Sequence, residues 1–404
     1  MIKQFRVQNY KALRDVTLNL TPIHVLIGPN DSGKTSLLEA VAALCLSVDH
    51  PLADSFLGQW EGHSLVTRDG QSNIVLSATS DEVEYGIKCA FSAQGRRCEL
   101  AARSCRIRGS LQDFGEMPNN ETTTSSQKWV RQSLPSQQSG STEASELKKA
   151  ARAQALVVDL LSGVEYYRLI PSVLALPVAP DSRLGFHLEV SGFGLARYLD
   201  ELLGQDRMRF DQLEERFCEL FPDVKLIKLV SEPGYRVAPD PSRHVPVLGK
   251  AEGKGIYFEL ESTGFAVSAS QMSDGMLLVL AYLALLHSPT PPRVLLIEEP
   301  ENGIHPKRLQ EVLAILRQLV SEQQHTQIIL TTHSPYVLDS FQPEEVTLCH
   351  KNESGEVSVR RLSESKAVRE QIDIFSLGEI WTAAGDDDLA IPVDSAAVVE
   401  EVAP

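Results

Sequence analysis

The stretch His24-Val25-Leu26-Ile27-Gly28-Pro29-Asn30-Asp31-Ser32-Gly33-Lys34-Thr35 decides the fold. Its first four residues form a short buried-strand run that ends at a glycine, and from Lys34 to Leu46 the apolar spacing becomes helical. Between strand and helix lies G-x-x-x-x-G-K-[ST], in the context that this motif requires. Glycines let the backbone wrap closely, so that its N–H groups point inward at phosphate oxygens, and the helix N-terminus adds positive potential. Gly28, Pro29, Asn30, Asp31, Ser32, Gly33, Lys34, Thr35 and Ser36 are therefore expected to cradle a nucleotide. Lys34 would reach its β- and γ-phosphates, and the Thr35 hydroxyl would coordinate Mg²⁺.

A second apolar strand, Val294-Leu295-Leu296-Ile297, delivers Glu298 and Glu299 at its C-terminal end, where ligands bind in open α/β sheets. Successive strand side chains point opposite ways, so the two acids are expected to do different jobs. Glu298 is placed to hold the metal and its water shell, and Glu299 to polarise an attacking water as general base.

Around these motifs the chain alternates in type. Short alternating runs within 73–108 predict a meander of antiparallel strands. Between 119 and 142, 16 of 24 residues are Ser, Thr, Asn or Gln, a composition that cannot bury enough apolar surface to order itself, and a loop is expected there. Helical periodicity follows over 145–161, 194–203 and 210–221, with no heptad pattern long enough for a coiled-coil arm. Beyond residue 249, helix 275–287, strand 294–297, helix 306–321 and strand 327–332 predict a mainly parallel sheet covered on both faces. The expected division is an N-terminal head lobe at 1–110, an inserted, mainly helical lobe at 111–250, a C-terminal head lobe at 251–370 and an acidic tail at 371–404.

Composition narrows the class. With 404 residues and 43% hydrophobic side chains, the chain can bury a sizeable core. The longest apolar run, 276–286, is well short of a membrane span, and the N-terminus lacks a leader pattern, so a cytoplasmic location is expected. Six cysteines without a C-x-x-C pair predict neither a disulfide framework nor a zinc cage. The net charge of −16 argues against non-specific coating of nucleic acid, yet residues 379–404 alone supply −7. Arg96, Arg97, Arg103, Arg106 and Arg108 oppose Glu99 in a local cluster of +4, which could face a nucleic acid or an acidic partner, or be a solvated strand face.

The two motifs, in this order, resemble the ABC-type ATPases of the RecF/OLD/SMC branch, close to the short members without coiled-coil arms and without a Toprim domain. Three further stretches carry the resemblance: Met272-Ser273-Asp274-Gly275-Met276 is similar to the signature motif, Glu301-Asn302-Gly303-Ile304-His305 occupies the D-loop, and Thr331-Thr332-His333-Ser334 resembles the switch-histidine loop. The resemblance implies an α/β P-loop head that hydrolyses ATP with Mg²⁺ and closes as a homodimer or higher homo-oligomer. It further implies that Ser273, Asp274 and Gly275 act on the nucleotide of the opposite protomer, that Asn302 and His305 are the D-loop residues, and that His333 sits near the γ-phosphate. The signature has Met276 where the family has Gln, and Gln59 is a weak candidate for the Q-loop glutamine.

Three functions follow as expectations. The first is a nucleotide-gated regulatory subunit for a separately encoded effector, a nuclease or toxin, in prokaryotic anti-phage defence or DNA maintenance. OLD-type relatives continue into a Toprim nuclease, whose acidic strand ends are not found in 335–404. Asp386-Asp387-Asp388 is expected in a Gly/Ala-flanked loop, so intrinsic nuclease activity is not expected. The alternatives are a RecF-like clamp that binds DNA when ATP is bound and, less favoured, the ATPase subunit of a transporter.

Overall fold

The computed structural model describes residues 1–50, 52–56, 65–66, 73–91, 98–107, 117–118, 141–180, 186–237, 246–323, 325–352 and 354–393. Gln59, Arg96, Arg97, Arg108 and residues 119–140 of the loop expected at 119–142 lie outside the described residues, whereas 141 and 142 are helical, at the start of the helix Ser141–Leu161.

In chain order the elements are β1 (Gln4–Tyr10), β2 (Leu13–Asn19), β3 (Ile23–Ile27), α1 (Lys34–Asp49), α2 (Leu52–Ser55), β4 (Ile74–Thr79), β5 (Val83–Phe91), β6 (Cys98–Ile107), β7 (Met117–Pro118), α3 (Ser141–Leu161) and β8 (Val164–Tyr167). Then come α4 (Pro171–Leu174), α5 (Leu195–Gln205), α6 (Arg207–Leu220), β9 (Val224–Arg236), β10 (Val247–Leu260), β11 (Ala266–Ser268), α7 (Asp274–Leu286), β12 (Val294–Glu298) and α8 (Pro306–Glu322). The chain ends with β13 (Gln327–Thr331), α9 (Pro335–Leu338), β14 (Val346–Lys351), β15 (Val357–Arg361), α10 (Lys366–Gln371) and α11 (Leu377–Leu389).

Contacts divide the chain into two compact units. The first comprises Met1–Glu165, Arg293–Leu296 and Gln327–Pro404. In it, β1, β2 and β4 to β7 form an antiparallel sheet in the order β2-β1-β4-β5-β6-β7, which contains the expected meander. A second sheet has the order β15-β14-β3-β13-β12-β8. Within it β13 and β14 flank β3 in parallel, and β15 runs antiparallel to β14. All five residues of β3 and of β13 are buried, as central parallel strands covered on both faces require. β3 is apolar save for His24, whose ring is held by the Thr21 hydroxyl at Nδ1 (3.0 Å) and the Thr347 hydroxyl at Nε2 (2.9 Å). Burial, reinforced by Arg361, pushes the His24 pKa down to about 3, so the ring is neutral.

The second unit comprises Tyr166–Pro292 and Ile297–Thr326. A long hairpin, β9 with β10, pairs with β11 in a three-stranded antiparallel sheet, and α5 and α6 pack beside it. Residues 277–286 of α7 are all buried, the mark of a helix that is apolar all round and enclosed by its neighbours. Among the described residues, no helix is long and apolar enough to cross a membrane.

One expectation is corrected. Asp386-Asp387-Asp388 lies in α11 and not in a loop: the chain kinks at Gly385 (φ 73°), turns helical again, and Asp386 Oδ1 accepts a 2.8 Å bond from the indole N–H of Trp381. The Ser376 hydroxyl caps the start of this helix, and Glu379 returns the bond to the Ser376 N–H, which extends helix over a stretch that composition alone marks as coil.

Candidate functional site

In the first unit, the loop after β3 enters α1 through Gly33, a left-handed residue (φ 92°) at the N-cap that offers the helix no side-chain cap. Gly28 (φ 133°) is required twice over, because a β-carbon there would stand 2.0 Å from the Cys349 carbonyl oxygen of β14. A β-carbon at Gly33 would meet Val357 of β15 at 2.7 Å. The loop is thus moulded from behind by two strands that arrive more than 300 positions later. Asp31 also has positive φ (66°), and its carboxylate pairs with Lys351.

Lys34 is buried, and its ammonium donates to the carbonyls of Gly28 and Pro29, each at 2.8 Å, and to the Ser32 hydroxyl at 3.4 Å. The cation is folded onto the loop that it would share with a phosphate. Thr35 is exposed and Ser36 half-buried, on the first turn of α1. Pro29 and Asn30 are exposed and Ser32 is buried. A left-handed glycine turn, an uncapped helix start and one buried ammonium are the donor set that a polyphosphate fits. His333 follows β13 and is exposed; in the same loop the Ser334 N–H donates to the Thr332 hydroxyl at 3.0 Å.

In the second unit, Glu298 ends β12 and is buried. Tyr166 donates its hydroxyl to Glu298 Oε1 at 2.7 Å, and Arg168 Nε stands 3.6 Å from Oε2. Neither residue is singled out by sequence reading, for they lie 132 and 130 positions away with no motif of their own. Among the described residues no cluster of three or more His, Cys, Asp or Glu that could hold a metal ion is present, so Glu298 would serve Mg²⁺ as a single carboxylate ligand beside water and phosphate oxygens. Glu299 is half-buried and has φ 47°, a left-handed conformation costly for a residue with a side chain. The strain is held by Asn302, whose side-chain amide donates to Glu299 Oε2 at 2.5 Å and whose N–H donates to the Glu299 carbonyl at 3.0 Å. His305 caps α8, accepting from the Lys307 N–H at its Nδ1.

Ser273 is the N-cap of α7, with no side-chain cap bond, and is exposed together with Asp274. Gly275 on the first turn has open space where a β-carbon would be. Of the arginine cluster, Arg103 and Arg106 are described, both on β6. Arg106 is exposed and pairs with Glu84 of β5 at 3.4 Å, whereas Arg103 is half-buried.

A family model described as an AAA domain, putative AbiEii toxin, Type IV TA system, matches residues 142–339. Another, described as an AAA ATPase domain, matches residues 1–153. Over 41 residues, 10% of this chain, it is 42% identical to an OLD nuclease of Thermus scotoductus, a match that spans 8% of that protein. Among solved structures, an SMC head bound to the C-winged helix domain of ScpA aligns over 91% of this chain and 99% of its own, with TM-score 0.50 and 13% identity. The SMC head domain from Thermotoga maritima aligns over 89% and 98%, with TM-score 0.41 and 12% identity. At 13% identity the likeness to the ScpA-bound SMC head is one of fold alone. The two AAA models together match residues 1–339, so over that stretch the chain is similar to AAA-type ATPase domains.

Proposed function

We propose that this ATPase dimerises or forms a higher homo-oligomer on ATP, hydrolyses it with Mg²⁺, and serves as the nucleotide-gated regulatory subunit of a separately encoded effector. The observation that carries the ATP part is Lys34, an ammonium buried in a glycine loop at a helix start, with carbonyl partners that a phosphate would replace. In this reading the backbone of residues 28–36 and Lys34 bind the phosphates, and Thr35 and Glu298 hold the metal. Mg²⁺ supplies charge neutralisation on the β- and γ-phosphates. Glu299 accepts a proton from the attacking water as that water's oxygen bonds phosphorus and the β–γ bridge breaks, and His333 hydrogen-bonds the γ-phosphate. Ser273, Asp274 and Gly275 meet the partner protomer's nucleotide, with Asn302 and His305 at the seam. The uncapped Ser273 hydroxyl supports that role, since the helix does not use it.

The head lobes at 1–110 and 251–370, the inserted lobe at 111–250 and the acidic tail at 371–404 are proposed as its functional divisions. The regulatory role rests on the OLD and toxin–antitoxin likenesses, with a prokaryotic, cytoplasmic defence or DNA-maintenance setting. The effector is assigned to another polypeptide because Asp386-Asp387-Asp388, on α11, does not sit at a strand end as a Toprim acid does. Purification from its native operon, with and without ATP, tests the proposal. A homo-oligomer that forms on ATP and carries a co-encoded partner is expected. A monomer in both conditions, or Mg²⁺-dependent DNA cleavage by the chain alone, would refute it.

A further inference from the structure

The two groups that engage Glu298 differ in kind. The Tyr166 hydroxyl makes a 2.7 Å bond to Oε1, a geometry that fixes where the carboxylate points. The Arg168 guanidinium stands 3.6 Å from Oε2, beyond hydrogen-bond length, and its side chain is 62% exposed against 4% for Glu298. A buried carboxylate is accompanied by hydrogen-bond donors or by a cation. Arg168 supplies that cation from the solvent side, in a pairing weak enough to be given up. Its backbone is anchored independently, for the Arg168 N–H donates to the Val190 carbonyl at 2.8 Å and the Ile170 N–H to the Ser191 carbonyl at 3.0 Å. The side chain can therefore swing away while the strand end stays in place.

We propose that Arg168 is a displaceable countercharge: it neutralises Glu298 while no metal–nucleotide complex is bound and withdraws to solvent when one is, with Tyr166 as the positioning residue that keeps the carboxylate aimed. The inference rests on the reading of Glu298 as the metal-side acid. It makes Arg168 a competitor of Mg²⁺, so that removing it eases metal loading. A merely structural surface ion pair would do nothing of the kind.

The test uses the full chain with a fluorescent ATP analogue at fixed, subsaturating concentration, titrated with MgCl₂. Arg168→Ala should lower the half-saturating Mg²⁺ concentration about two- to fivefold, the range that a solvated ion pair corresponds to. Arg168→Lys, which keeps the charge, should stay within about 1.5-fold of the wild type. Tyr166→Phe should raise the half-saturation, because the carboxylate loses its direction. An unchanged or raised value for Arg168→Ala, with an unchanged melting curve, overturns the proposal. Glu298→Gln separates the two readings. If it raises the half-saturation but Arg168→Ala does not lower it, the countercharge idea alone fails. If Glu298→Gln leaves the Mg²⁺ dependence at the wild-type value, the assignment of Glu298 fails and the countercharge with it.

Discussion

The phosphate loop and the carboxylate turn both follow a buried strand, yet they are held in shape by different means. Residues 28–33 are moulded by the backbone and side chains of β14 and β15, with Gly28 against the Cys349 carbonyl and Gly33 against Val357. Residues 298–302 are held by side chains: Tyr166 and Arg168 on Glu298, Asn302 on a left-handed Glu299. A backbone mould tolerates almost no change, because strand positions cannot shift without cost to a packed core. A side-chain clamp can be loosened one group at a time.

The largest effect should therefore come from the mould. Gly28→Ala places a methyl 2.0 Å from a carbonyl oxygen at φ 133° and should destabilise the first unit by more than about 4 kcal/mol, seen as insolubility or a large fall in thermal midpoint. A loss under about 1 kcal/mol would break the contrast, since the loop would then be as adjustable as the turn.

The next effect sharpens the same side. His24, directly before the loop, has a folded pKa near 3 against about 6.5 when unfolded, so between these values the unfolded chain binds a proton that the folded chain does not. This group's contribution is flat above pH 6.5, and stability falls by about 1.4 kcal/mol per pH unit as pH drops from 6.5 toward 3. Unfolding free energies from denaturant titrations at pH 7 and pH 4.5 should differ by about 2.5 kcal/mol more in the wild type than in His24→Gln, and an equal pH dependence would show that His24 contributes nothing.

On the clamp side, Asn302→Ala removes the 2.5 Å bond to Glu299 but no core packing. Hydrolysis should slow about tenfold with KM nearly constant and the melting temperature little changed, the cost of a hydrogen bond to a charged group. A loss of stability without a loss of rate would make the bond structural. The smallest effect concerns helix starts. Ser376→Ala should cost about 1 kcal/mol of stability, whereas Ser273→Ala should cost less than about 0.5 kcal/mol, because only Ser376 caps its helix. Equal losses in thermal denaturation would show Ser273 to be an ordinary cap.

The same contrast explains what the sequence discloses. Gly28 to Thr35 and Val294 to Glu299 are legible because each motif is local, with the glycines, apolar run and charged residues of one mechanism within eight positions. The meander and the helix–strand alternation after residue 249 are legible because their periodicities are regular. The β9–β10 hairpin is not, since its strands, of 13 and 14 residues, mix charges and glycines with apolar residues and are joined by one long antiparallel ladder. Asp386-Asp387-Asp388 misleads, because composition marks a coil where a capping box and the Trp381 bond extend a helix. Tyr166 and Arg168 are invisible for a third reason: a short strand brings them to Glu298 from 130 positions away, and no periodicity records such a pairing.

The central claim is that Glu299, on its strained turn, is the base of an ATPase. The most direct measurement pairs ATP affinity with single-turnover hydrolysis for the wild type and Glu299→Gln. Unchanged ATP binding and a rate lower by about 10²–10⁴, the usual contribution of a positioned general base, are expected. Hydrolysis at the wild-type rate by Glu299→Gln would contradict it.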